Sequence, residues 1–207
     1  APEKGINALD AAIQTFNGVN ALREHIRSDS RVHGVIIDGG KAANIVPEYS
    51  KVQYYVRSTT KTYNTELLEK VKNCARGAAL ATGTKLEITK FEFNYDNMVT
   101  NQTLSKVFND TIYEVAGIVM KEPLKSTGSI DAGQVSQVCP TIHPYFDVTN
   151  DPSIAGHTRD LGESTIKDYA KEQMKNTIAA LVLTAAKVIQ DPKLYEEIKY
   201  EFDHTEK

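Results

Sequence analysis

Five histidines are the first residues in this chain that could do chemistry. His25 falls in a helical pattern beside charged residues and His204 falls in the C-terminal tail, so both are expected on the surface. His33, His143 and His157 fall at a strand end or in loops, where functional side chains concentrate. The sequence contains no HxH or HExxH pattern, so histidine spacing alone establishes no metal site. A single loop histidine is more often structural than catalytic.

An amide and a guanidinium stand thirteen residues apart in the first third of the chain. Asn44 lies in a predicted turn between two strands, and Arg57 lies within the second of these strands. The two residues can be a turn asparagine and a solvated arginine. They can also form a binding site, because the planar fork of an arginine binds a carboxylate through two hydrogen bonds.

Two later sequence segments also allow either a structural or a functional interpretation. Residues 128–136, Gly-Ser-Ile-Asp-Ala-Gly-Gln-Val-Ser, can be a turn that leads into a strand, or a run of small residues whose backbone N–H groups hold an anion. Residues 156–160, Gly-His-Thr-Arg-Asp, place His157 in a loop, where it could be a metal ligand. A short strand is predicted over residues 135–139.

Residues 1–97 have the pattern of a small α+β domain. A helix is predicted over residues 7–28, strands over 32–38 and 51–58, and a helix from Thr62 to about Gly83. A third strand is predicted through Leu86, Ile88, Phe91 and Phe93. One more strand in front would complete a ferredoxin-like β-α-β-β-α-β unit, and we expect that strand upstream of Ala1. Its sheet would leave a face or an edge free for pairing.

Residues 98–207 resemble pieces of a larger domain. Helices are predicted over residues 101–118 and 164–190, and a short helix follows the Asp-Pro pair at 191–192. The stretch 123–162 is rich in glycine and proline, as functional loops often are. Two or three helices cannot easily bury their own apolar faces, so this segment is expected to need a sheet that the sequence does not contain.

Composition narrows the function classes. The net charge is −3 and no basic run indicates a nucleic-acid interface. The apolar stretches are too short to cross a bilayer, and the N-terminus does not have the pattern of a signal peptide. Because Cys74 and Cys139 lie far apart without metal-like spacing, we expect reduced thiols in the core of a cytoplasmic protein. Since residue 1 is not Met, the start is expected to be processed or cut.

Together these strings resemble the aminoacylase, succinyl-diaminopimelate desuccinylase and glutamate carboxypeptidase family of dinuclear metallohydrolases. The similarity is greatest to the amidohydrolase branch that contains p-aminobenzoyl-glutamate hydrolase. The resemblance rests on the N-terminal string, on residues 32–47 with Arg57, and on the two C-terminal helical segments. It implies a lid and dimerisation domain at 1–97, followed by the C-terminal part of an α/β metallopeptidase catalytic domain at 98–207.

The resemblance also implies roles for individual residues. His157 would bind one of two divalent ions, zinc or manganese, and Arg57 would hold the carboxylate of an N-acyl amino acid or small peptide. Asn44 would reach a substrate carbonyl or carboxylate, often in the site of the partner protomer of a homodimer. Backbone groups of Gly128 and Ser129 would contact the substrate, and His143 would line its pocket.

The family's other metal ligands and its catalytic glutamate do not occur in these 207 residues. The resemblance therefore implies that the intact enzyme hydrolyses an amide bond and that this chain alone is inactive. The alternative is a non-catalytic dimerisation module that needs a partner chain to complete a site. A stand-alone ferredoxin-like domain that binds a small molecule is a third possibility, although it leaves residues 96–207 unexplained.

Overall fold

The computed structural model describes residues 1–121 and 128–206, and these fall into two compact units. The first unit contains Ala1–Asn97, and Gly128 and Ser129 group with it. The second unit contains the other described residues, which are 98–121 and 130–206. Both helices and strands are present, as expected for an α+β protein.

The first unit begins with helix α1, Ala8–Leu22. The helix starts at Asn7 because the side-chain oxygen of this residue accepts hydrogen bonds from the backbone N–H groups of Leu9 and Asp10. A short 3₁₀ turn, Arg23–His25, follows directly, so the predicted helix over 7–28 is shorter than expected.

A two-stranded antiparallel hairpin comes next. Strand β1, Arg31–Asp38, pairs with strand β2, Lys51–Arg57. Arg31 lies opposite Arg57 at one end of the hairpin, and Asp38 lies opposite Lys51 at the other. The connection between the strands therefore leaves from the end that is remote from Arg57.

Helix α2, Lys61–Thr82, covers the hairpin together with α1. The side chain of Thr60 caps its start, and Gly83 ends it in the left-handed conformation that glycine adopts without strain. The apolar core of this unit contains five buried residues, Val19, Val32, Tyr63, Leu67 and Val71. All of them lie on the faces of α1, β1 and α2 that meet, so this core fixes the hairpin on the helices.

The third predicted strand is wrong. Residues 84–101 contain no strand, and Leu86, Ile88, Phe91 and Phe93 are exposed. A strand is stabilised by hydrogen bonds from a neighbouring strand, and the described residues form only one sheet, of β1 and β2. The ferredoxin-like arrangement is therefore not confirmed, although the α+β class is.

The second unit is helical in its described residues. Its elements are α3, Gln102–Ala116; α4, Ala132–Ser136; α5, Arg159–Ser164; α6, Asp168–Gln190; and α7, Pro192–His204. The buried Asn101 joins two of these helices, because its side chain caps α3 through Leu104 and also donates to the carbonyl of Ile198 in α7, at 2.9 Å.

Helix α6 has two different apolar sides. Its small residues Thr177, Ala180 and Thr184 are buried, and Ala180 packs with Phe108 and Ile112 of α3. The adjacent side of α6 exposes larger apolar residues, which are Met174, Ile178, Leu181, Val182 and Ile189. The α3–α6 core is therefore narrow, as expected for helices that cannot bury all of their apolar surface together.

Three further predictions are corrected in this unit. Residues 135–139 do not form a strand, because α4 covers part of this segment and Ser136 donates a local bond to the carbonyl of Gly133. The predicted helix over 164–190 begins later, at Asp168 of α6, and Ser164 is instead the last residue of α5. Cys139 is exposed rather than buried in the core, and Cys74 of the first unit is half-buried; both thiols are free.

In the described residues no helix is both long and apolar enough to cross a membrane.

Candidate functional site

Arg57 lies on the side of the hairpin that faces away from the core. Val56 and Tyr54 pack against the core cluster, so the alternation of a strand directs Tyr55 and Arg57 to the opposite face. The guanidinium carbon of Arg57 lies 5.6 Å from the centre of the Tyr55 ring. At this distance the ring and the cation attract each other, so Tyr55 helps to hold the guanidinium over this face.

A carboxylate binds the hydroxyl of the same ring. The Tyr55 hydroxyl donates to Oε2 of Glu92 at 3.0 Å, and the ring of Phe91 packs edge-on against Tyr55 with centroids 5.1 Å apart. This hydrogen bond is the largest cause of a raised pKa at the Tyr55 phenol, and burial and the charge of Glu92 act in the same direction. Tyr55 is therefore neutral and donates a hydrogen bond at neutral pH.

Asn44 lies at the opposite end of the hairpin, in the connection between the two strands, where it is exposed. From Lys51 to Arg57 the strand β2 rises roughly 20 Å, at about 3.3 Å per residue. The loop is held at that end, since the backbone N–H of Ala8 donates to the carbonyl of Pro47 at 2.9 Å. The hairpin therefore does not bring Asn44 and Arg57 of one protomer together.

His157 has an unusual backbone conformation in the second unit. Its φ is +60°, which makes it the one non-glycine residue with positive φ among those that the structure describes. The next residue, Thr158, caps α5 through the N–H of Leu161, so the left-handed turn leads directly into a helix. Such a conformation costs on the order of 1–3 kcal/mol at a non-glycine residue and is concentrated at functional positions. The imidazole of His157 is exposed.

The other predicted site residues are dispersed. His143, also in the second unit, is exposed and packs edge-on against Tyr145, with ring centroids 4.9 Å apart. Gly128 and Ser129 are exposed and group with the first unit. None of these positions forms a recognisable binding geometry by itself.

The described residues do not form a complete metal centre. Across residues 1–121 and 128–206, no group of three or more His, Cys, Asp or Glu side chains is placed to hold a metal ion. His157 offers a single imidazole, whereas zinc sites in proteins have three or four protein ligands per ion. A dinuclear centre therefore does not fit these residues by themselves.

The sequence alone missed Tyr55 as a neighbour of Arg57, and it missed Phe91 and Glu92 as neighbours of Tyr55. Strand alternation could have indicated Tyr55, which lies two residues before Arg57 and so on the same face. Glu92 could not be found in this way, because it lies 37 residues from Tyr55 in a segment without regular structure.

The hairpin covered by two helices is a small α+β domain, and comparison with known proteins identifies its family. Residues 1–83 match the peptidase dimerisation domain of the M20 family. The chain is 35% identical over 204 residues to the Xaa-Arg dipeptidases of Mus musculus and Homo sapiens, which covers 97% of this chain and 47% and 46% of theirs. The chain belongs to the M20 peptidase family.

Similarity to another relative is shorter. The chain is 35% identical to a p-aminobenzoyl-glutamate hydrolase subunit of Escherichia coli (strain K12) over 105 residues, which covers 50% of this chain and 22% of that protein. The chain spans just under half the length of the Xaa-Arg dipeptidases that it matches. What it contains is thus the dimerisation domain and a further helical region.

Proposed function

We propose that the intact protein hydrolyses the amide bond of a dipeptide or N-acyl amino acid that has a free carboxylate. The observation that carries this proposal is the 35% identity to Xaa-Arg dipeptidases over 97% of the chain. The substrates in the names of the relatives, Xaa-Arg, p-aminobenzoyl-glutamate and indole-3-acetyl-aspartic acid, each contain an amino acid. A carboxylate is the feature that these amino acids share.

Arg57 is the residue we assign to this carboxylate. Its guanidinium lies on the hairpin face that is not used by the core, next to the neutral phenol of Tyr55. A guanidinium binds a carboxylate through two parallel hydrogen bonds, and this orients the substrate as well as holding it.

Two protomers would share each site. Because Asn44 and Arg57 lie at opposite ends of the hairpin, we propose that Asn44 serves the site of the partner protomer in a homodimer formed by the dimerisation domain. A two-fold dimer allows this exchange in both directions, so each site receives one residue from each protomer.

The metal role is proposed for one residue. We propose that His157 supplies one imidazole to a centre of two divalent ions, zinc or manganese, whose other donors are not among the described residues. Backbone N–H groups of Gly128 and Ser129 and the ring of His143 are proposed to line the substrate site.

Substitution of Arg57 tests the carboxylate role in the full-length protein. Arg57→Ala should raise KM for an N-acyl amino acid by a factor equivalent to roughly 2–4 kcal/mol, because a charge-assisted bond is lost. The same substrate with its carboxylate amidated should lose this sensitivity. Arg76→Ala is the matched control, since Arg76 is an exposed arginine of α2 that pairs with Glu69. An unchanged KM in Arg57→Ala would exclude the proposed role.

Mixing of protomers tests the shared site. Asn44→Ala and Arg57→Ala homodimers should both be weak, whereas a mixed dimer has one site with both residues intact. Random exchange should therefore restore about a quarter of the wild-type activity. Failure to regain activity, with exchange verified by differently tagged protomers, would mean that both residues act in one site or that Asn44 has another role.

The alternative is a non-catalytic dimerisation module, and the match of residues 1–83 to a dimerisation domain favours it. This alternative predicts a full-length protein that is dimeric, retains no divalent metal by elemental analysis and hydrolyses no N-acyl amino acid or dipeptide. Metal retained in stoichiometric amount together with hydrolysis would reject it.

A further inference from the structure

A cavity of about 400 Å³ lies between the end of α1 and the start of β1, and its lining includes four basic side chains, those of Arg23, Arg27, Arg31 and His33. We infer that this cavity binds a small polyanion, which is a molecule that bears two or more phosphoryl or carboxylate groups. The inference goes beyond the proposed function, since none of the residues assigned there lines this cavity.

The positive charge of this cavity is opposite to that of the chain as a whole. Among the described residues that line the cavity none is acidic, although the chain has a net charge of −3. The rest of the lining consists of two serines and two apolar residues, which are Ser28, Ser30, Ile26 and Val32. Three guanidinium groups around one cavity repel each other unless an anion is bound, so this arrangement favours an anionic ligand.

Two of the arginines are held in place by neutral acceptors. Nη2 of Arg23 donates to the carbonyl of Val32 at 2.7 Å. Nη1 of Arg31 donates to the carbonyls of Ser28 and Ser30, at 2.6 and 2.7 Å. A carbonyl oxygen positions a guanidinium without cancelling its charge, and each guanidinium has five N–H donors. Both side chains therefore retain donors for a ligand, and little side-chain entropy is lost when the ligand binds.

The third arginine is held by an aromatic ring. The guanidinium carbon of Arg27 lies 4.1 Å from the centre of the Tyr63 ring, which attracts the cation but does not neutralise it. Within residues 1–121 and 128–206, Arg23, Arg27 and Arg31 make no ion pair with a carboxylate. All three positive charges are thus available to a ligand.

The carboxylates that feel the charge of Arg27 are bound by other groups. Asp29 accepts from the hydroxyl of Thr59 at 2.8 Å, and Glu66 pairs with Lys70 at 2.7 Å. The hydrogen bonds from Thr59 and Lys70 are the largest causes of the lowered pKa of these two carboxyl groups, and the charge of Arg27 contributes less. Neither carboxylate belongs to the lining of the cavity.

The chemistry of the lining indicates the class of ligand. Guanidinium groups bind phosphate and carboxylate through paired, charge-assisted hydrogen bonds. Three of them, together with the imidazole of His33, match a ligand that carries more than one such group. A volume of about 400 Å³ lies in the lower part of the range for small-molecule sites. The cavity therefore suits a small molecule with clustered negative charges.

Calorimetric titration of the full-length protein with pyrophosphate and with tricarballylate, in about 0.1 M salt, tests the site and distinguishes phosphoryl from carboxylate ligands. The double variant Arg27→Gln and Arg31→Gln should weaken binding of the preferred anion by about tenfold or more. The matched control, Lys72→Gln with Arg76→Gln, removes two cations that pair with Glu69 on α2, and it should change the affinity by less than about twofold. Equal affinity in wild type and in the double arginine variant would place the anion elsewhere, for example on a metal ion, and would overturn the inference. So would a wild-type protein that binds neither anion.

A second pair of variants keeps all three arginines, so it tests the site even if the double arginine variant does not fold. Ser28→Glu adds a carboxylate to the lining at an exposed position. This carboxylate should pair with the arginines and lower the affinity for the anion by about tenfold or more, whereas the uncharged Ser28→Gln should lower it by less than about threefold. Equal affinities of these two variants would also overturn the inference.

Discussion

The ring of Tyr54 lies directly over Gly34 across the hairpin and occupies the space of a side chain there. The two residues are partners in the β1–β2 register, and a Cβ atom added to Gly34 would overlap the Tyr54 ring, lying 2.8 Å from its Cδ1. Phe16 of α1 packs on the same ring, with centroids 5.1 Å apart. The ring is therefore held between a helix and a strand and has little freedom to move aside.

Gly34→Ala should lower the free energy of unfolding by about 1–3 kcal/mol, because the added methyl group forces the Tyr54 ring or the strand to shift. Urea denaturation of the chain measures the change. Gly77→Ala is the control, since Gly77 lies within α2 with no atom within 4 Å of an added Cβ. It should raise stability by about 0.4–1 kcal/mol. Equal effects of the two substitutions would contradict the close packing.

Glu201 of α7 caps the first turn of α3. Its carboxylate accepts from the backbone N–H of Gln102 at 2.5 Å and from that of Thr103 at 2.7 Å. Burial raises the pKa of this carboxyl, but the hydrogen bonds from Thr103 and Gln102 outweigh burial, and the net pKa lies below the usual 4.5. Its contribution to stability is therefore complete above about pH 4.5 and is lost as the pH falls through the lowered pKa.

Glu201→Gln should lower the free energy of unfolding at pH 7 by about 0.5–2 kcal/mol, the usual cost of weakening a helix cap. As the pH falls below 4.5 and through the lowered pKa, the difference from wild type should shrink, because the wild-type carboxyl becomes protonated and loses its charge. Thermal denaturation between pH 3 and pH 7 measures both effects. Glu197→Gln, an exposed position on α7, should have little effect at any pH. A constant difference across this range would reject the charged cap.

Because the backbone of His157 is left-handed, its effect on stability can be measured separately from its proposed role as a metal ligand. His157→Gly should keep the turn and raise stability by about 0.5–1 kcal/mol, because glycine adopts φ +60° without strain. In the full-length protein the same change should lower metal content if the imidazole is a ligand. Gly156→Ala is the control, since an added Cβ at Gly156 meets nothing within 4 Å. Lower stability in His157→Gly would show that the imidazole itself supports the fold.

The sequence predicted the elements with strong local patterns. Helix α2 was predicted to start at Thr62 and end near Gly83, because its apolar residues recur at helical spacing. The observed cap is Thr60, two residues earlier, and Gly83 ends the helix as predicted. The segment through Leu86 and Ile88 has strand-like alternation, yet it forms no strand. Whether a strand forms depends on a partner strand, which is information that the segment does not contain.

The candidate site shows the same limit. The thirteen-residue spacing of Asn44 and Arg57 indicated that the two could act together, and only the register of the hairpin shows that its length separates them. A short strand was predicted over residues 135–139, but the hydrogen bonds of Ser136 to the carbonyl of Gly133 and from the N–H of Val99 accompany a short helix, α4. Long-range hydrogen bonds of this kind cannot be read from local composition.

The two apolar sides of α6 tolerate different substitutions. Where α3 approaches, the small side chain of Ala180 packs with Phe108 and Ile112, so a larger residue at this position would force the two helices apart. On the adjacent side of α6, Val182 and Ile189 are exposed to solvent. Lysine or glutamate at those two positions should reduce aggregation of this region when it is produced by itself. Neither substitution should disturb the contact with α3.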